Sequence, residues 1–152
     1  MDSRTGDILT YEGKYIVQGV NSLGIMGNPS KRTGGLALQI RETYPKVYEV
    51  YRRKYQEGLL KLGYSFGVDC GKHTIINIVT QKDIGRWKKP FNYTAFTLAL
   101  SNIDKSISGP VAFPPIGCGL GGADFNKVVS IIEENCKNIK PIIYYLNDEV
   151  PF

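Results

Sequence analysis

Apolar residues recur along this chain with two alternating spacings. Phe96, Leu100, Ile103 and Ile107 fall every three or four positions, the stripe of a helix that buries one side. Phe125, Val128, Val129, Ile132 and Cys136 repeat that spacing, and so do Tyr48, Tyr51 and Tyr55. Pro45 fits the first turn of the tyrosine helix, where a missing N–H costs nothing. Residues 35–41 read as a further helix. The tyrosine and aromatic stripes are read as core.

Short β-branched and aromatic runs separate these helices. Residues 8–10 and 15–17 are predicted as early strands, with a turn at Glu12-Gly13 between them. Residues 64–68 and 74–79 are the next pair, and the second is rich in β-branched residues, as a buried strand should be. Residues 111–113 form a short strand, and residues 142–146 a central one. Alternation of strand and helix along the whole chain predicts α/β layering in one domain, residues 1–152.

Composition narrows the class. With 42% hydrophobic and 22% charged residues, the chain is neither disordered nor membrane-like. No apolar run approaches the roughly 20 residues that span a bilayer. The first seven residues are polar and carry no secretory pattern, so the expected location is the cytoplasm. Three cysteines without paired spacing and a single histidine, His73, argue against a disulfide framework and against a zinc site. No metal and no cofactor are expected. The formal net charge of +5 suits an anionic ligand or a nucleic acid, although a mildly basic surface accounts for it equally.

Two glycine-rich loops change this picture. One runs from Val20 through Gly24 and Gly27 to Gly34-Gly35-Leu36, and the other is Pro114-Pro115-Ile116-Gly117-Cys118-Gly119-Leu120-Gly121-Gly122. Each lies between a predicted strand and a predicted helix. Glycine lets backbone N–H groups come close to an anion, and the helix that follows points its positive end at the loop. Successive N–H groups form a nest for phosphate oxygens. Two such loops at strand C-terminal ends would grip a diphosphate from both sides, where open α/β sheets place their ligands. Neither a P-loop nor a dinucleotide fingerprint fits the spacing.

These residues resemble the macro-domain family. Gly6-Asp7-Ile8-Leu9 is similar to its opening strand, and Asn21 followed by Gly34-Gly35-Leu36-Ala37 is similar to its asparagine and glycine loop. The stretch Ile116-Gly117-Cys118-Gly119-Leu120-Gly121 is similar to its second substrate loop. The resemblance runs over nearly the entire chain. It implies a three-layer α/β/α fold with a central mixed, mostly parallel sheet, and a site for ADP-ribose. The branches it resembles most are DNA ADP-ribosyl glycohydrolases, terminal ADP-ribose glycohydrolases and ADP-ribose-1''-phosphate phosphatases.

Roles follow from the resemblance. Asp7 and Ile8 would meet the adenine, with Tyr145 or Asn147 flanking it; Tyr144 is a further candidate for that place. Gly34, Gly35 and Leu36, with Pro115, Ile116, Gly117, Cys118, Gly119, Leu120 and Gly121, would hold the diphosphate and distal ribose. Asn21, Lys82 and Asp124 are the catalytic candidates. Each has a plainer role open to it: a turn for Asn21, a solvated charge for Lys82, a helix cap for Asp124. Asp7 has one too, as a strand-end cap. The family's lysine directly follows a strand-ending threonine. Here Gln81 intervenes after Thr80, so Lys82 fits only if the chain bulges there. The insertion 28–33, with Lys31 and Arg32, is either a solvated loop or a phosphate contact.

The expected activity is removal of ADP-ribose from an ADP-ribosylated protein or nucleic acid. The alternatives are an ADP-ribose-1''-phosphate phosphatase, a reader without turnover, and a nucleic-acid-binding protein without an ADP-ribose role. A monomer is expected.

Overall fold

The computed structural model describes residues 1–84, 90–118 and 121–146. Its strands are β1 (Asp2–Thr5), β2 (Tyr15–Asn21), β3 (Ser65–Asp69), β4 (Thr74–Gln81), β5 (Gly109–Phe113) and β6 (Ile139–Tyr145). Its helices are α1 (Gly35–Thr43), α2 (Pro45–Gln56), α3 (Tyr93–Ser106) and α4 (Phe125–Asn135). The strands form one sheet in the order β1-β6-β5-β2-β4-β3. Among the strands of the described residues, β3 alone runs against its neighbour, and the other pairs are parallel.

Burial on both faces fits the β-branched run of β4, interrupted by the buried Asn77, and the run Ile142–Tyr144 of β6. Ile16, Val20, Ile75, Val79 and Ala112 point to one face, where they pack with Ile40 of α1 and with Val47 and Tyr51 of α2. Val17, Ile76, Ile78, Val111 and Phe113 point to the other, against Phe96 and Leu100 of α3 and Phe125, Val128 and Ile132 of α4. The result is a three-layer α/β/α arrangement around a mixed, mostly parallel sheet. Burying each such side chain stabilises the fold by about 1.5–3 kcal/mol.

Two expectations from the pattern fail. Residues 8–10 are a 3-10 turn rather than a strand. Asp7 caps it, accepting from the Leu9 N–H at 2.9 Å. The opening strand lies earlier, at Asp2–Thr5, and all four of its residues are exposed. Its order comes from pairing with β6, which needs no hydrophobic alternation of its own. Tyr55 is the second failure. It is 40% exposed rather than core, and it lies against Gly24 of the first loop.

The charged side chain that most shapes the far edge is Asp104. Its carboxylate accepts from the backbone N–H groups of Lys137, Asn138 and Ile139, which ties the end of α3 to the start of β6. No helix among the described residues is long and apolar enough to cross a membrane.

Candidate functional site

Parallel pairing brings the C-terminal ends of β1, β2, β4, β5 and β6 to one edge of the sheet. Both glycine loops therefore leave the sheet side by side, from the adjacent strands β2 and β5.

The first loop is folded around its asparagine. Asn21 Oδ1 accepts from Leu23 N at 2.9 Å and from the Tyr51 hydroxyl at 2.9 Å, while Asn21 Nδ2 donates to the Ile25 carbonyl at 2.8 Å. Arg41 donates to the Met26 carbonyl, and Arg52 to the Gly24 carbonyl. The loop then doubles back. Asn28 and Thr33 exchange two backbone hydrogen bonds, and Arg32 pairs with Glu42. The insertion is thus a small hairpin with Lys31 and Arg32 exposed. Gly34 stands at the N-cap of α1 with φ of +116°, and a Cβ there would overlap Gly27 Cα. Asn92 and Asp124 cap α3 and α4 with their side chains, whereas no side chain caps α1. The positive end of α1 is thus left facing the loop, with Gly35 exposed and Leu36 half-buried.

The second loop begins as a turn. Cys118 N donates to the Pro115 carbonyl at 3.2 Å, and Ala123 N to the Gly117 carbonyl at 2.8 Å. Ile116 is buried; its Cγ2 would lie 3.1 Å from a Cβ on Gly19 of β2, as would Thr80 Oγ1 of β4. Gly117 has φ of +75°, and the Phe91 ring occupies the space a Cβ would need. Gly119 and Leu120 lie outside the described residues, as does Asn147.

The segment after β4 joins the two loops. Ser22 N donates to the Gln81 carbonyl at 3.0 Å, and Phe91 N donates to the Gly121 carbonyl at 3.1 Å. Gln81 Oε1 lies 3.0 Å from where a Gly121 Cβ would be. From the sequence Gln81 counts only as the residue between Thr80 and Lys82, and Phe91 carries no signal. Their contacts are long-range and leave no local signal.

The strand register bears directly on Lys82. Val20 pairs with Val79 but Asn21 pairs with Gln81, so Thr80 is the extra residue of a bulge. The bulge that Lys82 requires is therefore present. Lys82 is exposed, in the bend that follows β4.

The remaining candidates divide. Asp7 sits beside the end of β6, since Gly6 N donates to the Tyr145 carbonyl at 2.6 Å. Its second carboxylate oxygen accepts from Gln39 Nε2 at 2.8 Å, which links it to α1. Ile8 is buried beneath it. Tyr145 packs its ring on Phe125 at 5.7 Å between centroids. Tyr144 points to the opposite face, edge-on to Tyr11, and belongs to the core. Asp124 takes the cap position of α4, accepting from Asn126 N and Lys127 N. Burial, together with the Asp124 charge, pushes the Cys118 thiol up to about 11, so it is a thiol and not a thiolate near neutrality.

No family model matches the chain. It is similar to a DNA ADP-ribosyl glycohydrolase of Mycobacterium tuberculosis, with 32% identity over 133 residues, which are 82% of this chain and 35% of the relative. A DNA ADP-ribosyl glycohydrolase of Thermus aquaticus shares 26% identity over 95% of this chain and 40% of its own length. The chain thus spans little more than a third of the length of these curated relatives. Among solved structures, the macrodomain of Mycobacterium tuberculosis DarG superposes with a TM-score of 0.76 and 29% identity, over 95% of this chain and 96% of that one. With this likeness over nearly the full length, and with the strand order and paired glycine loops described above, the chain belongs to the macrodomain family.

Proposed function

We propose that this chain binds ADP-ribose at the sheet edge and hydrolyses the glycosidic bond that joins ADP-ribose to DNA. The observation that carries the reading is the joining of three loops by the Ser22–Gln81 and Phe91–Gly121 hydrogen bonds. Together they bring two glycine turns, an oriented asparagine and a lysine to the end of β2. The curated relatives named as DNA ADP-ribosyl glycohydrolases support both the reaction and the substrate. Three free cysteines suit a reducing cytoplasm, where ADP-ribosylated DNA would be met.

In this reading the N-terminus of α1 and the backbone of the second loop hold the diphosphate, the pairing of anion and positive helix end. Asp7 and Tyr145 take the adenine end. Asn21 meets the distal ribose. Cleavage develops oxocarbenium character at the ribose C1''. Water forms the new C–O bond at that carbon, the base leaves with the electron pair of the broken bond, and the proton that water gives up ends on the departed base. The Lys82 ammonium stabilises the departing base. Asp124 serves as the cap of α4 and lies beside Cys118 at the ribose end.

Lys82→Ala is the discriminating variant. Calorimetry with ADP-ribose should return an affinity close to that of the parent, while release of ADP-ribose from an ADP-ribosylated oligonucleotide should disappear. Full retained turnover would remove Lys82 from the reaction. Turnover of ADP-ribose-1''-phosphate alone would make the protein a phosphatase, and tight binding without any turnover would make it a reader.

A further inference from the structure

Lys82 is exposed, yet the backbone that carries it is held at three successive carbonyls. The Gln81 carbonyl accepts from Ser22 N at 3.0 Å, and the Lys82 carbonyl accepts from Ser22 Oγ at 3.4 Å. The third carbonyl is that of Asp83, and its donor is the Gln81 side chain, with Nε2 at 2.5 Å. Ile84 N then donates to Asp83 Oδ1 at 2.7 Å and closes the bend. Gln81 thus reaches past Lys82 and holds the residue on its far side.

The other end of the same amide meets the second glycine loop. Gln81 Oε1 and the Gly117 carbonyl lie 3.0 and 2.8 Å from where a Gly121 Cβ would be, so the buried Gly121 has room only for a hydrogen. Gly121 is tied back in turn, since its carbonyl accepts from Phe91 N and Phe91 forms an antiparallel bridge with Gln81. Asn92 N donates to the Thr80 carbonyl at 2.7 Å and secures the base of that bridge. The half-buried Gln81 amide therefore spans the space between the lysine bend and the second loop.

We infer, on the glycohydrolase reading of this site, that Gln81 is a positioning residue that acts through Lys82. It sets the root of the lysine at a fixed place relative to the second loop. A lysine carries its ammonium on a flexible four-carbon stem, so the placement of its backbone decides how far the charge can reach. Rate is sensitive to such placement, and a shift of about 1 Å can cost on the order of a hundredfold. The Asp83 carbonyl can only accept, so the contact needs an N–H or O–H at the end of a side chain of this length.

The test follows steady-state release of ADP-ribose from an ADP-ribosylated oligonucleotide, with calorimetry on ADP-ribose and a melting curve for each variant. Gln81→Met keeps the length of the side chain and removes the donor. Its kcat should fall about tenfold or more while KM and ADP-ribose affinity stay within about twofold of the parent, the pattern of a contact that matters in the transition state alone. Gln81→Glu should be as slow at pH 7, where a carboxylate has no proton to donate. A protonated carboxyl can donate to the Asp83 carbonyl, so the kcat of Gln81→Glu relative to the parent should climb about threefold or more from pH 7 to pH 5. Gln81→Met should show no such climb, and a purely structural contact predicts none in either variant. Parent-like kcat in Gln81→Met, a raised KM in place of a lowered kcat, or a flat ratio for Gln81→Glu would each overturn the inference and leave the glycohydrolase reading standing. A parent that binds ADP-ribose but releases none from the oligonucleotide would overturn both together.

Discussion

The single buried hydroxyl proton of Tyr51 is shared between two acceptors on Asn21, its backbone carbonyl at 2.7 Å and its side-chain Oδ1 at 2.9 Å. With Leu23 N also on Oδ1 and the Ile25 carbonyl on Nδ2, the amide has one orientation. Its oxygen is saturated by donors, and only an N–H can be turned outward. Asn21 is thus set to donate a hydrogen bond rather than to accept one.

Tyr51→Phe tests this arrangement. The variant keeps the packing volume and removes one buried hydrogen bond, worth about 0.5–1.5 kcal/mol net, with a further cost for the unpaired carbonyl. The expected outcome is a melting temperature lowered by a few degrees. Turnover should fall about tenfold while ADP-ribose affinity changes little. Equal turnover in parent and variant would show that the orientation of Asn21 does not matter to the reaction.

The two glycines that open α1 should respond differently to alanine. Gly34 combines φ of +116° with direct contact on Gly27, so Gly34→Ala must move backbone. Gly35 has φ of +50° and nothing within 4 Å of a Cβ, so Gly35→Ala meets only the modest cost of the left-handed region. Chemical denaturation should show Gly34→Ala destabilised by about 2 kcal/mol or more and Gly35→Ala by about 1–2 kcal/mol. The reverse order would mean that the hairpin yields to the new methyl.

Asp104 gives the fold an acid-sensitive edge. Burial pushes its carboxyl up, but the N–H groups of Ile139, Lys137 and Asn138 outweigh that and hold it below the usual aspartate range. A depressed folded value stabilises the native state above the unfolded pKa near 3.9, and that stability is lost as pH falls through the folded value. Melting curves of the parent should therefore fall steeply in the acid range below about pH 4. Asp104→Asn should melt lower at pH 7 and show a shallower acid decline. Identical acid limbs would assign the acid sensitivity elsewhere.

Cys118 sits in the second loop but is chemically quiet. With its thiol pushed up to about 11, labelling by iodoacetamide at pH 7.5 should be slow relative to a free cysteine. Cys118→Ser should keep turnover within about threefold. Loss of turnover on this substitution would point to a covalent step that the proposed reaction does not contain.

By itself, the sequence determined the helical stripes, the buried strands β2, β4, β5 and β6, and the position of both glycine loops. Those features are written in local spacing: period 3.6 for Phe96 to Ile103, β-branched runs for β4, and glycine where the backbone turns sharply. Tertiary structure alone decided three things. It made a strand of the polar Asp2–Thr5 and a turn of the apolar Ile8–Thr10, because β6 offers a ladder to the first and Asp7 caps the second. It placed the bulge at Thr80, which shifts Lys82 by one position and is visible only when β2 and β4 are paired. It also brought Gln81, Phe91 and Tyr51 to the glycine loops across 30 to 59 positions of sequence. Contacts of that range arise from how layers stack, and no pattern of neighbouring residues encodes them.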